Sequence, residues 1–141
     1  MADSKPKILI TGIAGFIGFH LAKKLNAVGF QVYGVDNLND YYKVQLKLDR
    51  LKELGIEVAK ENNTWIASKS KDIQFLKIDL SNTLEIGQVF DSIQFDAVIH
   101  LAAQPGVRMS ITHPEIYFQS NLTATFNLLE QVKNNPNSVL L

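Results

Sequence analysis

The sequence contains no cysteine in its 141 residues, which removes disulfides, thiolate zinc sites, thiol catalysis and iron–sulfur chemistry. A chain without thiols suits a reducing cytosol. It also has no surplus of charge: 14 Lys and Arg balance 14 Asp and Glu. Sequence-blind binding of nucleic acid draws on several phosphate-facing cations, and this balance argues against it. No apolar run approaches the ~20 residues of a bilayer span, so no membrane insertion is expected. Met1–Lys7 is polar and leads straight into a strand-like run, so no signal peptide and a cytoplasmic location are expected. Internal repeats and low-complexity tracts are absent too.

What is present is an ordinary globular composition, 46% hydrophobic and 20% charged. A chain near 150 residues buries ~68–70% of its unfolded surface, enough for a core without staples. Short β-branched runs alternate with longer helical stretches. Lys7–Thr11 (KILIT) reads as a strand buried on both faces. Helical spacing follows from Gly15 through Ile17, Leu21, Leu25 and Val28, and Gly29 sits at the C′ position. Gln31–Asp36 is the second strand. Tyr41–Leu54 is the next predicted helix, with Val44, Leu48, Leu51 and Leu54 apolar and Lys43, Lys47, Arg50 and Lys52 on the wet face. Residues 59–72 are polar and aperiodic, with Trp65 the single large anchor, and read as a surface excursion.

Ile73–Asp79 is the third predicted strand. Asn82 followed by Glu85 predicts a capping box opening a short helix to Ser92. Asp96–Leu101 is the fourth strand. Thr112-His113-Pro114-Glu115 reads as another capping signature, opening a helix to about Lys133 in which Ser110 and Thr112 serve the cap. Asn134–Asn137 breaks that helix and Ser138–Leu141 begins a fifth strand. Alternation of this kind predicts an α/β, doubly wound parallel sheet of about five strands with helices on both faces. The last strand has little room to finish, so the chain is expected to be one truncated domain.

The most informative residues are Thr11-Gly12-Ile13-Ala14-Gly15-Phe16-Ile17-Gly18, three glycines at a strand–helix junction. Gly12 permits the sharp turn, Gly15 the close approach of a pyrophosphate to backbone N–H groups, and Gly18 tight helix packing. Asp36 ends the second strand 18 residues later, where a carboxylate can accept from both ribose hydroxyls of an adenosine. It would repel a 2′-phosphate, which favours NAD over NADP. The Lys-Ser/Thr ending of a P-loop is absent.

With its TGxxGxxG motif the chain resembles the extended short-chain dehydrogenase/reductase family of Rossmann folds. The likeness extends to NAD-dependent nucleotide-sugar epimerases and dehydratases, most of all UDP-glucuronate 4-epimerases. The stretches that carry it are Thr11–Leu25, Asp36–Leu46 (DNLNDYYKVQL), Asp79-Leu80, His100–Ser110 (HLAAQPGVRMS) and Asn121. The resemblance implies that Gly12, Gly15, Phe16, Ile17 and Gly18 hold the pyrophosphate of NAD. Asp36, Asn37 and Asn39 would hold the ribose, and Asp79 and Leu80 would meet the adenine. Leu101, Ala102, Ala103, Gln104 and Asn121 would complete the cofactor site. Asp79 also reads as a loop or capping aspartate, and Leu101–Ala103 as strand packing. Arg108 would lie near the UDP-sugar, or be a solvated loop arginine. His100, ending a buried strand with no paired nucleophile, reads as structural.

The family's reaction moves a hydride from sugar C4 to the nicotinamide and returns it to the other face. It relies on a Tyr-x-x-x-Lys base. None of Tyr33, Tyr41, Tyr42 and Tyr117 has a Lys four residues on, so no catalytic residue is assigned and the chain alone is expected to be inactive. No metal site is expected. The resemblance implies a homodimer through the helix of residues 115–133, where Phe118, Leu122, Phe126 and Leu129 form an apolar stripe. Two alternatives stay open. One is a non-catalytic NAD-binding sensor or interaction module; the other is part of a nucleotide-sugar dehydratase or decarboxylase.

Overall fold

A computed structural model describes residues 5–59 and 64–141. Its strands are β1 (Lys7–Thr11), β2 (Gln31–Asp36), β3 (Ile66–Ala67), β4 (Ile73–Lys77), β5 (Ala97–His100) and β6 (Val139–Leu140). They form one sheet in the order β3-β4-β2-β1-β5-β6. Every pairing is parallel except β3 on β4, where Ile66 faces Phe75 and Ala67 faces Gln74. The sheet is therefore six-stranded and mixed, where about five parallel strands were expected. The correction lies in the supposed excursion of residues 59–72, whose positions 60–63 fall outside the described residues. Trp65 packs edge-on against Tyr33 at 5.2 Å, and this contact docks the short β3 on the sheet edge.

The helices α1 (Phe16–Ala27), α2 (Val44–Glu53) and α3 (Thr83–Ser92) connect the strands as the periodicity predicts. α2 starts three residues later than expected. Side chains alternate across β1. Ile8 and Ile10 join a core with Phe19, Leu51 and Leu54 from α1, α2 and its end, while Leu9 faces Ile86, Val89 and Leu128 on the other side. Leu9, Ile10, Phe75 and Leu128 are fully buried. Each such side chain contributes about 1.5–3 kcal/mol of transfer free energy.

The N-terminus of α3 is capped as predicted. Asn82 Oδ1 accepts from the N–H groups of Leu84 and Glu85. Glu85 does not return to the Asn82 N–H of a strict capping box; its carboxylate accepts from Asp79 N (2.8 Å) and Asn82 Nδ2 (2.9 Å).

The stretch after β5 differs most from expectation. A short helix α4 (Val107–Thr112) occupies what reads as loop, so Thr112 ends a helix and caps nothing. Ser110 Oγ donates to Val107 O and Thr112 Oγ1 to Met109 O, both inside α4. Pro114 does take the first turn of α5 (Pro114–Tyr117), but His113 is the residue before it and makes no side-chain cap. The expected single helix is then interrupted by a π-helical segment over Phe118–Thr123 before α6 (Ala124–Lys133). Phe118, Leu122, Phe126 and Leu129 stay exposed while Ala124, Asn127 and Leu128 are buried.

Candidate functional site

The carboxyl ends of β1, β2, β4 and β5 lie side by side, and the chain leaves them there for α1, α2, α3 and α4. Register alone brings Thr11 opposite His100 and Asp36 opposite Lys77. β1 has β2 on one side and β5 on the other, so the crossovers leave in opposite directions at this edge. Such a switch point opens a crevice that helices cannot fill. Here it is a cleft of about 430 Å³.

Its floor is the glycine turn. Gly12 N donates to Val35 O at 2.8 Å and Gly15 N to Gly12 O at 2.9 Å, which folds the turn back on itself. Gly12 adopts φ +74°, and a Cβ there would press on the backbone of Leu101 and Ala102 at 3.0–3.1 Å. A Cβ on Gly18 would run into the Gly12 carbonyl, so the helix packs on the turn only with glycine there. Gly15 precedes α1 without a side-chain cap, and the first turn carries no acidic residue. Its N–H groups have no intrahelical acceptor and carry the positive end of the helix dipole. Phe16 and Ile17 stand exposed over this end.

Around the floor runs a connected set of polar side chains. Thr11, fully buried, accepts at Oγ1 from Leu101 N and Ala102 N, each at 3.1 Å. With both lone pairs used, its hydroxyl proton goes to His100 Nδ1 at 2.7 Å. That fixes the imidazole as the neutral tautomer with the proton on Nε2, which donates to Thr125 Oγ1 at 3.0 Å. Burial lowers the His100 pKa and so reinforces the neutral form. Both ring nitrogens of His100 are thus committed to Thr11 and Thr125.

Thr125 Oγ1 donates in turn to Asn121 O (2.6 Å). Asn121 holds both backbone polar groups of one residue, accepting from Gln104 N (2.7 Å) and donating to Gln104 O (3.1 Å). Asn121 sits in the π-helical segment, and such widened turns re-aim side chains at functional sites. Gln104 Oε1 accepts from Asn39 Nδ2 (3.3 Å), and Asn39 Oδ1 accepts from Lys47 Nζ (2.9 Å). Lys47 also pairs with Asp36 Oδ1 at 3.2 Å, both side chains buried. Asp36 further accepts from Leu38 N (2.8 Å) and Ala14 N (3.3 Å). One buried donor is left over: Gln104 Nε2 has no partner among the described residues.

Asp79 lines the same cleft near the end of β4. Partial desolvation pushes its pKa up, but bonds from Ser81 Oγ, Ser81 N and Asn37 Nδ2 outweigh this and hold it below the ordinary range. It stays an anion and also makes the turn before α3. Among the described residues no cluster of His, Asp and Glu could hold a metal ion.

Residues 9–139 match the family described as GDP-mannose 4,6 dehydratase. The chain belongs to that family. It is 50% identical over 124 residues to Protein CapI of Staphylococcus aureus, covering 88% of this chain and 33% of that protein. It is 44% identical over 126 residues to the UDP-glucuronate 4-epimerase of Thermodesulfobacterium geofontis, covering 89% of this chain and 35% of that one. The chain thus spans about a third of the length of these curated relatives. Among solved structures, the UDP-glucose 4-epimerase of Thermus thermophilus in complex with NAD superposes with a TM-score of 0.72. Sequence identity there is 28%, over 95% of this chain and 36% of that one. The expected nucleotide-sugar epimerase/dehydratase family and its Rossmann-like sheet are borne out.

Within this dehydratase-family chain the cleft lining brings together Gly12, Gly15, Phe16, Ile17, Gly18, Asp36, Asn37, Asn39, Asp79, Leu80, Leu101, Ala102, Ala103 and Gln104. Two predicted residues are absent from it. Asn121 acts through Gln104 and is a positioning residue. Arg108 stands exposed on α4, outside the lining. Sequence reasoning missed Lys47, Tyr41 and Tyr42, which also line the cleft. For Lys47 a signal existed: Val44, Lys47, Leu51 and Leu54 follow a spacing of three and four, which puts the lysine on the buried stripe and not the wet face.

Proposed function

We propose that this chain is the NAD-binding portion of a nucleotide-sugar epimerase of the UDP-glucuronate 4-epimerase type. The observation that carries the reading is the uncapped, acid-free start of α1 facing a cleft whose far wall holds the paired Asp36. Gln104 Nε2, without a partner among the described residues, and the Cβ-free approach at Gly15 fit a bound dinucleotide. In this reading the first-turn N–H groups from Phe16 to Gly18 take the pyrophosphate. Asp36, with Asn37 and Asn39 beside it, accepts from the adenosine ribose, and Asp79 and Leu80 meet the adenine. Leu101 to Gln104, held in place by Thr11 and Asn121, line the cofactor's remaining length. When bound, the nicotinamide supplies hydride exchange with the sugar; the residues here bind, orient and exclude water.

The relatives that carry a named activity favour the epimerase over a dehydratase or decarboxylase. UDP-glucuronate 4-epimerases match at 44% in Thermodesulfobacterium geofontis and 36% in Arabidopsis thaliana. The whole enzyme then takes a UDP-sugar. The exposed stripe of Phe118, Leu122, Phe126 and Leu129 supports a homodimer through this helix, since an apolar patch of that kind marks an interface. With no Tyr-x-x-x-Lys, residues 1–141 form an incomplete dinucleotide-binding domain that does not epimerise by itself. Calorimetric titration of the purified chain with NAD tests the reading, paired with a turnover assay on UDP-glucuronate. NAD binding without turnover is the expected result. No heat with NAD at millimolar concentration, or turnover at enzymatic rates, would overturn it.

A further inference from the structure

We infer that Lys47 is a residue that sets cofactor selectivity, and that NAD is preferred because Asp36 holds this lysine in a buried pair. The inference rests on the dinucleotide reading above and deepens it. Asp36 closes β2 at the ribose end of the cleft, and a lone carboxylate there is the ordinary reason a 2′-phosphate is refused. The carboxylate is not alone. Lys47 Nζ lies 3.2 Å from Asp36 Oδ1 and 2.9 Å from Asn39 Oδ1, with the two charged side chains 10% and 6% exposed. An ammonium has three donors, and these two acceptors leave one N–H available to the cleft that Lys47 lines.

A second cation stands on the same side of α2. Arg50 Nη1 donates to Ala14 O at 3.1 Å beside the glycine turn, outside the cleft lining, and its other N–H groups have no hydrogen-bond partner among the described residues. Lys47 therefore already places at the ribose end of the cleft the positive charge that a 2′-phosphate needs. What withholds it is the single negative charge of Asp36. The carboxylate both occupies Lys47 and repels a phosphate placed on the ribose. Removing that one charge should turn the same pocket from an NAD site into an NADP site, with Lys47 as the new phosphate ligand.

The test is calorimetry of the full chain with NAD and with NADP, which differ only by the 2′-phosphate, on wild type, Asp36→Asn and Asp36→Asn/Lys47→Met. Wild type should prefer NAD. Asp36→Asn should shift the NADP-to-NAD affinity ratio by about 100-fold toward NADP, from one repulsion removed and one charge-assisted bond gained. The double variant should lose that gain. Replacing both members of a buried pair by neutral groups is often tolerated, so it guards against a variant that merely unfolds. A thermal melt of each variant confirms folding. No shift in Asp36→Asn, or an equal shift in the double variant, overturns the role of Lys47 while leaving NAD binding by wild type intact. Failure of wild type to bind NAD at all overturns the dinucleotide reading and this inference together.

Discussion

Thr11→Val removes one oxygen from a site where three groups depend on it. The hydroxyl is fully buried, accepts from Leu101 N and Ala102 N at 3.1 Å, and donates to His100 Nδ1 at 2.7 Å. Valine fills nearly the same volume, so cavity formation contributes little. Leu101 N keeps a second acceptor in Thr11 O at 3.3 Å. Ala102 N and His100 Nδ1 keep none of their named partners at β1. A fully buried polar group left unsatisfied costs about 1–3 kcal/mol; His100 and Ala102 are half-buried, so about 1–2 kcal/mol each predicts a loss of about 2–4 kcal/mol. With a urea m-value of about 2 kcal/mol/M, the unfolding midpoint should fall by about 1–2 M at unchanged m. Thr11→Ser keeps the hydroxyl and loses one methyl, about 1 kcal/mol. Equilibrium urea unfolding followed by circular dichroism compares the three chains. If Thr11→Val stays within about 0.5 kcal/mol of wild type, or proves milder than Thr11→Ser, the hydroxyl does not hold the site as argued.

Gly18→Ala should be worse than an ordinary helix substitution, because the new methyl meets the rigid Gly12 carbonyl and the Ile13 backbone; chemical denaturation should show a loss of about 2 kcal/mol or more, and a neutral result would contradict the packing. The lowered pKa of His100 makes the unfolded state the better proton binder. Its contribution is then complete above the ordinary value of about 6.5 and is lost as pH falls through the lower folded value. The stability advantage of wild type over His100→Gln should accordingly shrink between pH 7 and pH 5, and a constant advantage would rule out this titration. The proposed dimer through this helix predicts that Phe126→Glu with Leu129→Lys is monomeric in light scattering where wild type is dimeric, with no lower melting temperature, as both side chains are exposed; a monomeric wild type would refute it.

The parts of the molecule legible in the sequence are those where local chemistry and tertiary role agree. Lys7–Thr11 is apolar on both faces because it lies inside the sheet between β2 and β5, and the glycine turn announces itself because no other residue fits at Gly12 or Gly18. Asn82 is a capping residue by type and by use. The misreadings arise where long-range contacts override local preference. Thr112-His113-Pro114-Glu115 has the letters of a cap, yet Met109 O takes the Thr112 hydroxyl and the chain is already helical. β3 has only two residues, too few for an alternation, and depends on Trp65 meeting Tyr33. Lys47 is polar by type, and its charge is accommodated in the interior by the Asp36 carboxylate and the Asn39 side-chain oxygen, both outside its helix. The π-helical turn leaves no pattern in the sequence, and within it Asn121 accepts from the N–H of Gln104, 17 residues earlier in the chain.

The polar residues around the cleft are not scattered. Asp36, Lys47, Asn39, Gln104, Asn121, Thr125, His100 and Thr11 form one continuous chain of hydrogen bonds. It crosses from β2 through α2 and the loop after β5 to α6, and back to β1. A buried network of this kind stabilises only while its members are satisfied, and each bond polarises the next. Its links fix the backbone of residues 101–104 from both sides, through Thr11 and through Asn121, so this wall of the cleft is set before any ligand arrives. Preorganisation spares a ligand the entropy of ordering the loop. The one buried side-chain donor without a partner among the described residues, Gln104 Nε2, belongs to a residue that lines the cleft. A network closed elsewhere and open at that point is arranged for a guest that brings an acceptor with it.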